Sequence, residues 1–162
     1  MTRERDHASR RTRELDERIR KANLRATPAR LAVFALLDSA SRPMSHAETV
    51  AQLHSNAGDD ATVFRALTDL TRVGLLRRID VGDRMWRFEP DRHDMVSHPH
   101  FVCVKCGSIS CLFDVVFTLP TAGVPKSIKK KAVQVLLRGR CNDCEAPQPS
   151  PTPEVLARGS QQ

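Results

Sequence analysis

From residue 27 to 74, apolar side chains recur at three- and four-residue spacing, the rhythm of helices that each bury one face. Thr27 reads as an N-cap with Pro28 in the first turn, opening a helix whose Leu31, Phe34 and Leu37 form an apolar stripe. Ser45 with Glu48 three positions on is a capping box, and Val50 and Leu53 give the helix behind it a buried face. Asp59 or Asp60 caps a third helix, in which Val63, Leu67 and Leu70 face inward and Gly74 stands where a left-handed C-terminal cap is wanted. Upstream, residues 7–24 are polar and Arg-rich. Leu15 and Ile19, four apart, suffice there for a thin-faced helix that packs lightly on the downstream helices.

Beyond Gly74 the period changes from helical to alternating. LLRRID and RMWRFE flank Val81, Gly82 and Asp83, which predicts a hairpin. Three helices and then a hairpin is the winged-helix plan. PDRHDMVS opens on proline and has no pattern, so it reads as a hinge. HFVCV and SISCLF then read as strands, VPKSIKKK as a short basic helix and AVQVLLRG as a last strand. The expected class is α+β: a basic N-terminal extension (1–21), a winged-helix domain (22–90), a hinge (91–97), a small α/β second domain (98–145) and a disordered tail (146–162) rich in Pro, Gln and Ser.

At 162 residues, 40% apolar and 28% charged, the chain has material for one ordinary core or two small ones, which argues against a large enzymatic architecture. Its net charge of +7 suits a polyanionic partner. The charge is zoned: residues 1–30 hold ten Arg or Lys against five Asp or Glu, and residues 126–140 hold six against none. No apolar run spans a bilayer and the N-terminus lacks the apolar core of a secretory signal, so a cytoplasmic protein is expected. There, five cysteines stay reduced, which favours metal ligation over disulfides.

Cys103 and Cys106 form one C-x-x-C and Cys141 and Cys144 another, with thirty-four residues between the pairs. Each pair aims two thiolates at one point, and two pairs complete the four-sulfur shell of structural zinc. Gly107 supplies a backbone tolerant of a tight knuckle. A redox enzyme would instead carry a single such pair at a helix N-terminus, and no acid–base partner is legible, so no catalytic residue is expected.

Four stretches together carry a resemblance: LRATPARLAVFALL, DDATVFRALTDLTRVGLL, HPHFVCVKCG and the closing CNDC. In this order and spacing the chain resembles the ferric uptake regulator family over roughly residues 22–144. The resemblance implies a homodimer that binds a palindromic double-stranded DNA operator, usually repressing, with affinity raised by a regulatory metal; the second domain would be the dimerisation domain, stapled by the zinc. It also implies DNA contacts from Arg25, in the arm before the first core helix, and from Thr62, Phe64 and Arg65 in the recognition helix. Phe64 and Arg65 stand where the family has Tyr-Arg. An arginine there can hold a phosphate or a guanine edge, whereas a Phe ring can pack on a thymine methyl but lacks the hydroxyl of Tyr.

The regulatory metal implied by the resemblance sits between the domains. His98 and His100 match the family's His-x-His and, two apart on an extended segment, point to one face. Glu89 matches its acidic ligand at the end of the wing, with Asp91, His93 and Asp94 as rivals. Cys111 stands where the family usually has a carboxylate. A thiolate there favours Zn2+ over Fe2+ or Mn2+, although Cys111 can equally be a small buried residue of its strand. Pro43 stands near the position of the reading-head histidine, leaving His46 as a substitute. Pro99 and Val133 replace ligands of a secondary site, so one structural zinc and at most one regulatory ion per subunit are expected. His7 and His54 read as surface residues. The alternative function is a zinc-stabilised DNA-binding or interaction module that has lost metal sensing.

Overall fold

The computed structural model describes residues 2–53, 58–91, 98–115, 123–126 and 133–145, with side chains from Ser9 onward. The elements run α1 (Thr2–Lys21), α2 (Pro28–Ser39), β1 (Met44–Ser45), α3 (His46–Leu53), α4 (Asp60–Arg72), β2 (Leu76–Asp80), β3 (Trp86–Pro90), β4 (His100–Cys103), β5 (Ile109–Cys111) and β6 (Leu136–Gly139). All of the expected hinge (91–97) but Asp91, with His93 and Asp94 in it, and also His54, most of the basic segment after Pro125 and the tail after Glu145 lie outside the described residues, as does the side chain of His7. No helix among the described residues is long and apolar enough to cross a membrane.

The predicted helix boundaries rest on observed caps. The Thr27 side chain accepts from Arg30 N, and Asp59 accepts from Thr62 N at 2.9 Å. The capping box is complete: Ser45 N donates to the Glu48 carboxylate at 2.7 Å and Glu48 N donates to Ser45 Oγ at 3.2 Å. At the end of α4 the Gly74 and Leu75 amides return to the carbonyls of Thr71 and Leu70.

Two details differ from expectation. The face that α3 buries fully is Thr49, whose hydroxyl satisfies itself on the Ser45 carbonyl at 2.8 Å, while Val50 and Leu53 pack half-buried at the core edge. And α1 does not pack lightly. Leu15 and Ile19 are buried in the same core as Phe34, Leu37, Leu67 and Leu70. Arg18 lies over the Phe34 ring at 4.7 Å, and Arg11 holds Asp38 of α2 at 2.7 Å. Two apolar residues on one helical stripe suffice because arginine stems and charges cover the rest of the seam.

The β2–β3 hairpin is sandwiched. It forms a sheet in the order β1-β3-β2, with Arg77 opposite Glu89 and Arg78 opposite Phe88. Since side chains alternate between faces, Leu76, Phe88 and Met44 close the helical core while Ile79 and Arg77 point the other way. There Ile79 and Val81 meet Val102 and Ile109 of the second sheet, with Leu136 packed alongside, in a small separate core.

That second sheet has the order β5-β4-β6, with β4–β5 antiparallel and β4–β6 parallel. Arg138 donates to the carbonyl of Val81 and Gln134 to that of Asp80, fastening β6 and the segment before it to the wing's turn. Gly82 has φ +82°, a left-handed turn position that favours glycine, and a Cβ there would displace the flexible end of the Arg138 side chain, 2.8 Å away.

Candidate metal centres and nucleic-acid interface

The parallel pairing of β4 and β6 explains the cysteine cluster. Both strands leave the sheet at the same end, so Cys103 and Cys106 meet Cys141 and Cys144 although they are far apart in sequence. Their sulfurs all lie within 4.8 Å of one another, with Cys106 and Cys141 at 3.8 Å. Each pair closes a knuckle: Gly107 N donates to Cys103 O at 2.9 Å and Cys144 N to Cys141 O at 2.9 Å.

The knuckle amides also point at sulfur. Backbone N–H groups of Cys106 and Cys141 pull the Cys103 thiol down to about 6, and the neighbouring thiols push Cys144 up to about 12. Four thiols crowded this closely cannot all ionise unaided, and a divalent cation among them lets them do so. The donor set fits zinc.

The second cluster joins the domains. Glu89 on β3, His100 on β4, Cys111 on β5 and His98 just before β4 bring their ligand atoms within 4.8 Å of one another. His100 and Cys111 are register partners across β4–β5 and so share a face, the one turned to the wing. Glu89 is 4% exposed and His100 1%, so solvent does not supply their partners. Oε2 of Glu89 is 2.9 Å from His100 Nε2, and the Cys111 thiol reaches it at 3.8 Å.

His98 Nε2 is 3.4 Å from the same oxygen yet buried with no hydrogen bond. An orphaned buried imidazole nitrogen aimed at a carboxylate, a second imidazole and a thiol is the donor arrangement of a metal site. The ionisation states agree. Burial by itself pushes the Glu89 carboxyl up, but the His100 hydrogen bond and the Arg77 charge outweigh it and hold the group ionised below its ordinary value. Burial keeps His98 below the ordinary imidazole value despite Glu89, so it is neutral, as a ligand must be.

The structure brings together four of the five residues expected at the regulatory site and leaves His46 out. His46 Nε2 lies 3.0 Å from the Asp60 carbonyl and its ring stands edge-on to Phe64, which commits it to the start of α4. Asp91, the one rival ligand described, is not in the cluster; its amide donates to Leu75 O. Arg77, beside Glu89, was missed in the sequence. Hairpin register was the signal that could have found it, because Arg77 stands directly opposite Glu89.

On α4, Val63, Ala66, Leu67 and Leu70 are buried, while Phe64 and Arg65 are exposed. Phe64 is 56% exposed, so its ring is no part of the core and is free to meet a partner. Thr62 is half-buried with its amide spent on the Asp59 cap. Arg25 is exposed in the turn between α1 and α2, and its carbonyl accepts from Arg30, whose other nitrogen ties Asp69 of α4 at 2.5 Å.

The chain is similar in sequence and fold to known proteins. The family model described as "Ferric uptake regulator family" matches residues 21–130. The ferric uptake regulation protein of Pseudomonas aeruginosa is 35% identical over 96 residues, covering 56% of this chain and 69% of the relative. The transcriptional regulator FurA of Mycobacterium bovis is 31% identical over 133 residues, covering 79% and 88%. A solved structure of the ferric uptake regulator from Pseudomonas aeruginosa with manganese superposes with a TM-score of 0.56 at 26% identity, covering 79% of this chain and 98% of that one. With the helical head, the wing, the paired knuckles and a model match over most of its length, this chain belongs to the ferric uptake regulator family.

Proposed function

We propose that this chain is a metal-responsive transcriptional regulator: a homodimer that binds a palindromic DNA operator, as a repressor, when an ion occupies the Glu89–His98–His100–Cys111 cluster. The observation that carries the reading is the placement of that cluster, with Glu89 on the wing strand, His100 and Cys111 on the second sheet, and His98 just before it. An ion held there ties the reading head to the second domain and narrows the head's orientations, so its binding energy favours the operator-competent arrangement. Cys103, Cys106, Cys141 and Cys144 would hold a structural zinc that closes the end of the second sheet. Arg65 and Phe64, exposed on α4, would face the major groove, with Thr62 at the helix start and Arg25 reaching the backbone or the neighbouring groove.

Two imidazoles, one carboxylate and one thiolate suit Zn2+ better than Mn2+, which prefers more oxygens, or Fe2+. The test is operator binding by protein that retains only its structural zinc, titrated anaerobically with Zn2+, Mn2+ and Fe2+. Activation by Zn2+ at the lowest free concentration supports the reading. Equal activation by all three removes the zinc preference, and operator binding indifferent to any added metal removes sensing altogether.

One observation favours the second reading, a DNA-binding module without sensing: Ile79 and Val81 of the wing already pack on Val102 and Ile109, a contact that needs no ion. The same titration decides between them.

A further inference from the structure

Arg77 on β2 stands across the hairpin from Glu89 and grips one of its two carboxylate oxygens. Its Nε donates to Oε1 at 2.5 Å and its Nη2 to the same oxygen, while His100, His98 and Cys111 all approach Oε2. The carboxylate is thereby divided: Oε1 belongs to the guanidinium and Oε2 to the ligand cluster. We propose that Arg77 is a specificity-determining, positioning residue of the metal site, restricting Glu89 to one donor oxygen and so confining the ion to four donors. The inference rests on the metal-site reading above.

Coordination chemistry makes the restriction matter. Zinc is content with four donors of mixed type, whereas Mn2+ seeks six, preferably oxygens, and a carboxylate that opens to bidentate binding is the cheapest source of one more. A guanidinium bound through two nitrogens to Oε1 opposes that opening, and the partly buried setting strengthens the hold.

Arg77 has a second effect of the same sign. Its Nη2 is 3.5 Å from His98 Nδ1, an approach in which that ring nitrogen must be the acceptor. When Nε2 of His98 ligates an ion, Nδ1 carries the proton and confronts a donor. A fixed positive charge beside the cluster also repels every cation. Arg77 therefore raises the concentration at which any ion binds, and raises it most for ions that need the second oxygen.

The test uses full-length protein with its structural zinc in place, titrated with Co2+, whose visible bands are intense with four donors and weak with six. Wild type should take up one Co2+ per subunit with intense bands. Arg77→Ala should weaken them and move the ratio of Mn2+ to Zn2+ dissociation constants toward Mn2+ on the order of tenfold, the scale of losing a residue that orients a metal ligand. Arg77→Lys, keeping the charge and a donor, should recover most of the wild-type intensity. Arg77→Met, of similar length but without charge, replaces the alanine variant if that one does not fold. Wild-type bands and an unchanged metal ratio in the alanine or methionine variant overturn the role of Arg77. Wild type that takes up no Co2+ beyond its structural site overturns the metal-site reading and this inference with it.

Discussion

Ile79 sits on the face of β2 turned away from the helices, 2% exposed, in a core whose other buried members are Val81, Val102 and Ile109, with Leu136 alongside. Replacing it by Ala removes three carbons, which at about 0.8 kcal/mol per methylene forfeits roughly 2.4 kcal/mol of transfer free energy. A residual cavity adds to this, and Ile→Ala changes span about 2–5 kcal/mol. Because this core is small and edged by the half-buried Leu136, its walls can relax, so the expected loss is about 2–3 kcal/mol, at the lower end of that range. The loss should appear in the contact between wing and second sheet and spare the helical core, to which Ile79 does not belong. Urea unfolding monitored by circular dichroism measures the total, and amide exchange locates it: β4 and β5 should lose protection while α2 and α4 keep theirs. A loss below about 1 kcal/mol, or protection lost equally in α4, would refute the claim that the wing is held by the second sheet.

Cys141→Ser should lose one zinc per subunit and loosen the second sheet, measured by elemental analysis and thermal unfolding; full zinc content would eliminate the four-sulfur site. Arg65→Ala should cost about 1–3 kcal/mol of operator affinity if it reads a base edge, with zinc content unchanged, and wild-type affinity in a binding titration would take Arg65 out of the interface. Acid should destabilise protein carrying only its structural zinc, in two stages. His98 stays neutral in the folded state to a lower pH than in the unfolded chain, so stability falls as pH drops below the ordinary imidazole value of 6.5. Glu89, held below its ordinary 4.5, contributes stability above that value that is lost as pH falls through its lowered one. Urea midpoints measured from pH 7 down through the lowered Glu89 value check both, and His98→Gln should flatten the first stage.

Much of this was legible in the sequence because the relevant physics is local. Caps at Thr27, Ser45 and Asp59, the turn between LLRRID and RMWRFE, and the paired C-x-x-C spacing each depend on residues a few positions apart. What could not be read depends on which surfaces meet. Leu15 and Ile19 look like a thin stripe until α2 supplies the matching surface. His46 lies close to Ser45 in sequence, but the start of α3 turns it toward Asp60 rather than toward β4. Arg77 escaped because an arginine is read as a solvated charge; its partner is twelve positions away, across a turn whose register the sequence leaves open.

The hairpin is a ribbon with two owners. Leu76 and Phe88 belong to the helical head and Ile79 and Val81 to the sheet beyond. A cut after Pro90, which on paper isolates a reading head, would strip one side of that ribbon. It would expose Ile79 and Val81 together with Glu89, whose carboxylate lies against His100 and Cys111 of the second sheet. A head expressed alone should therefore be sticky and poorly soluble. The place where the chain can be divided with least cost lies along no single peptide bond, since the strand that ends one half is also the floor of the other.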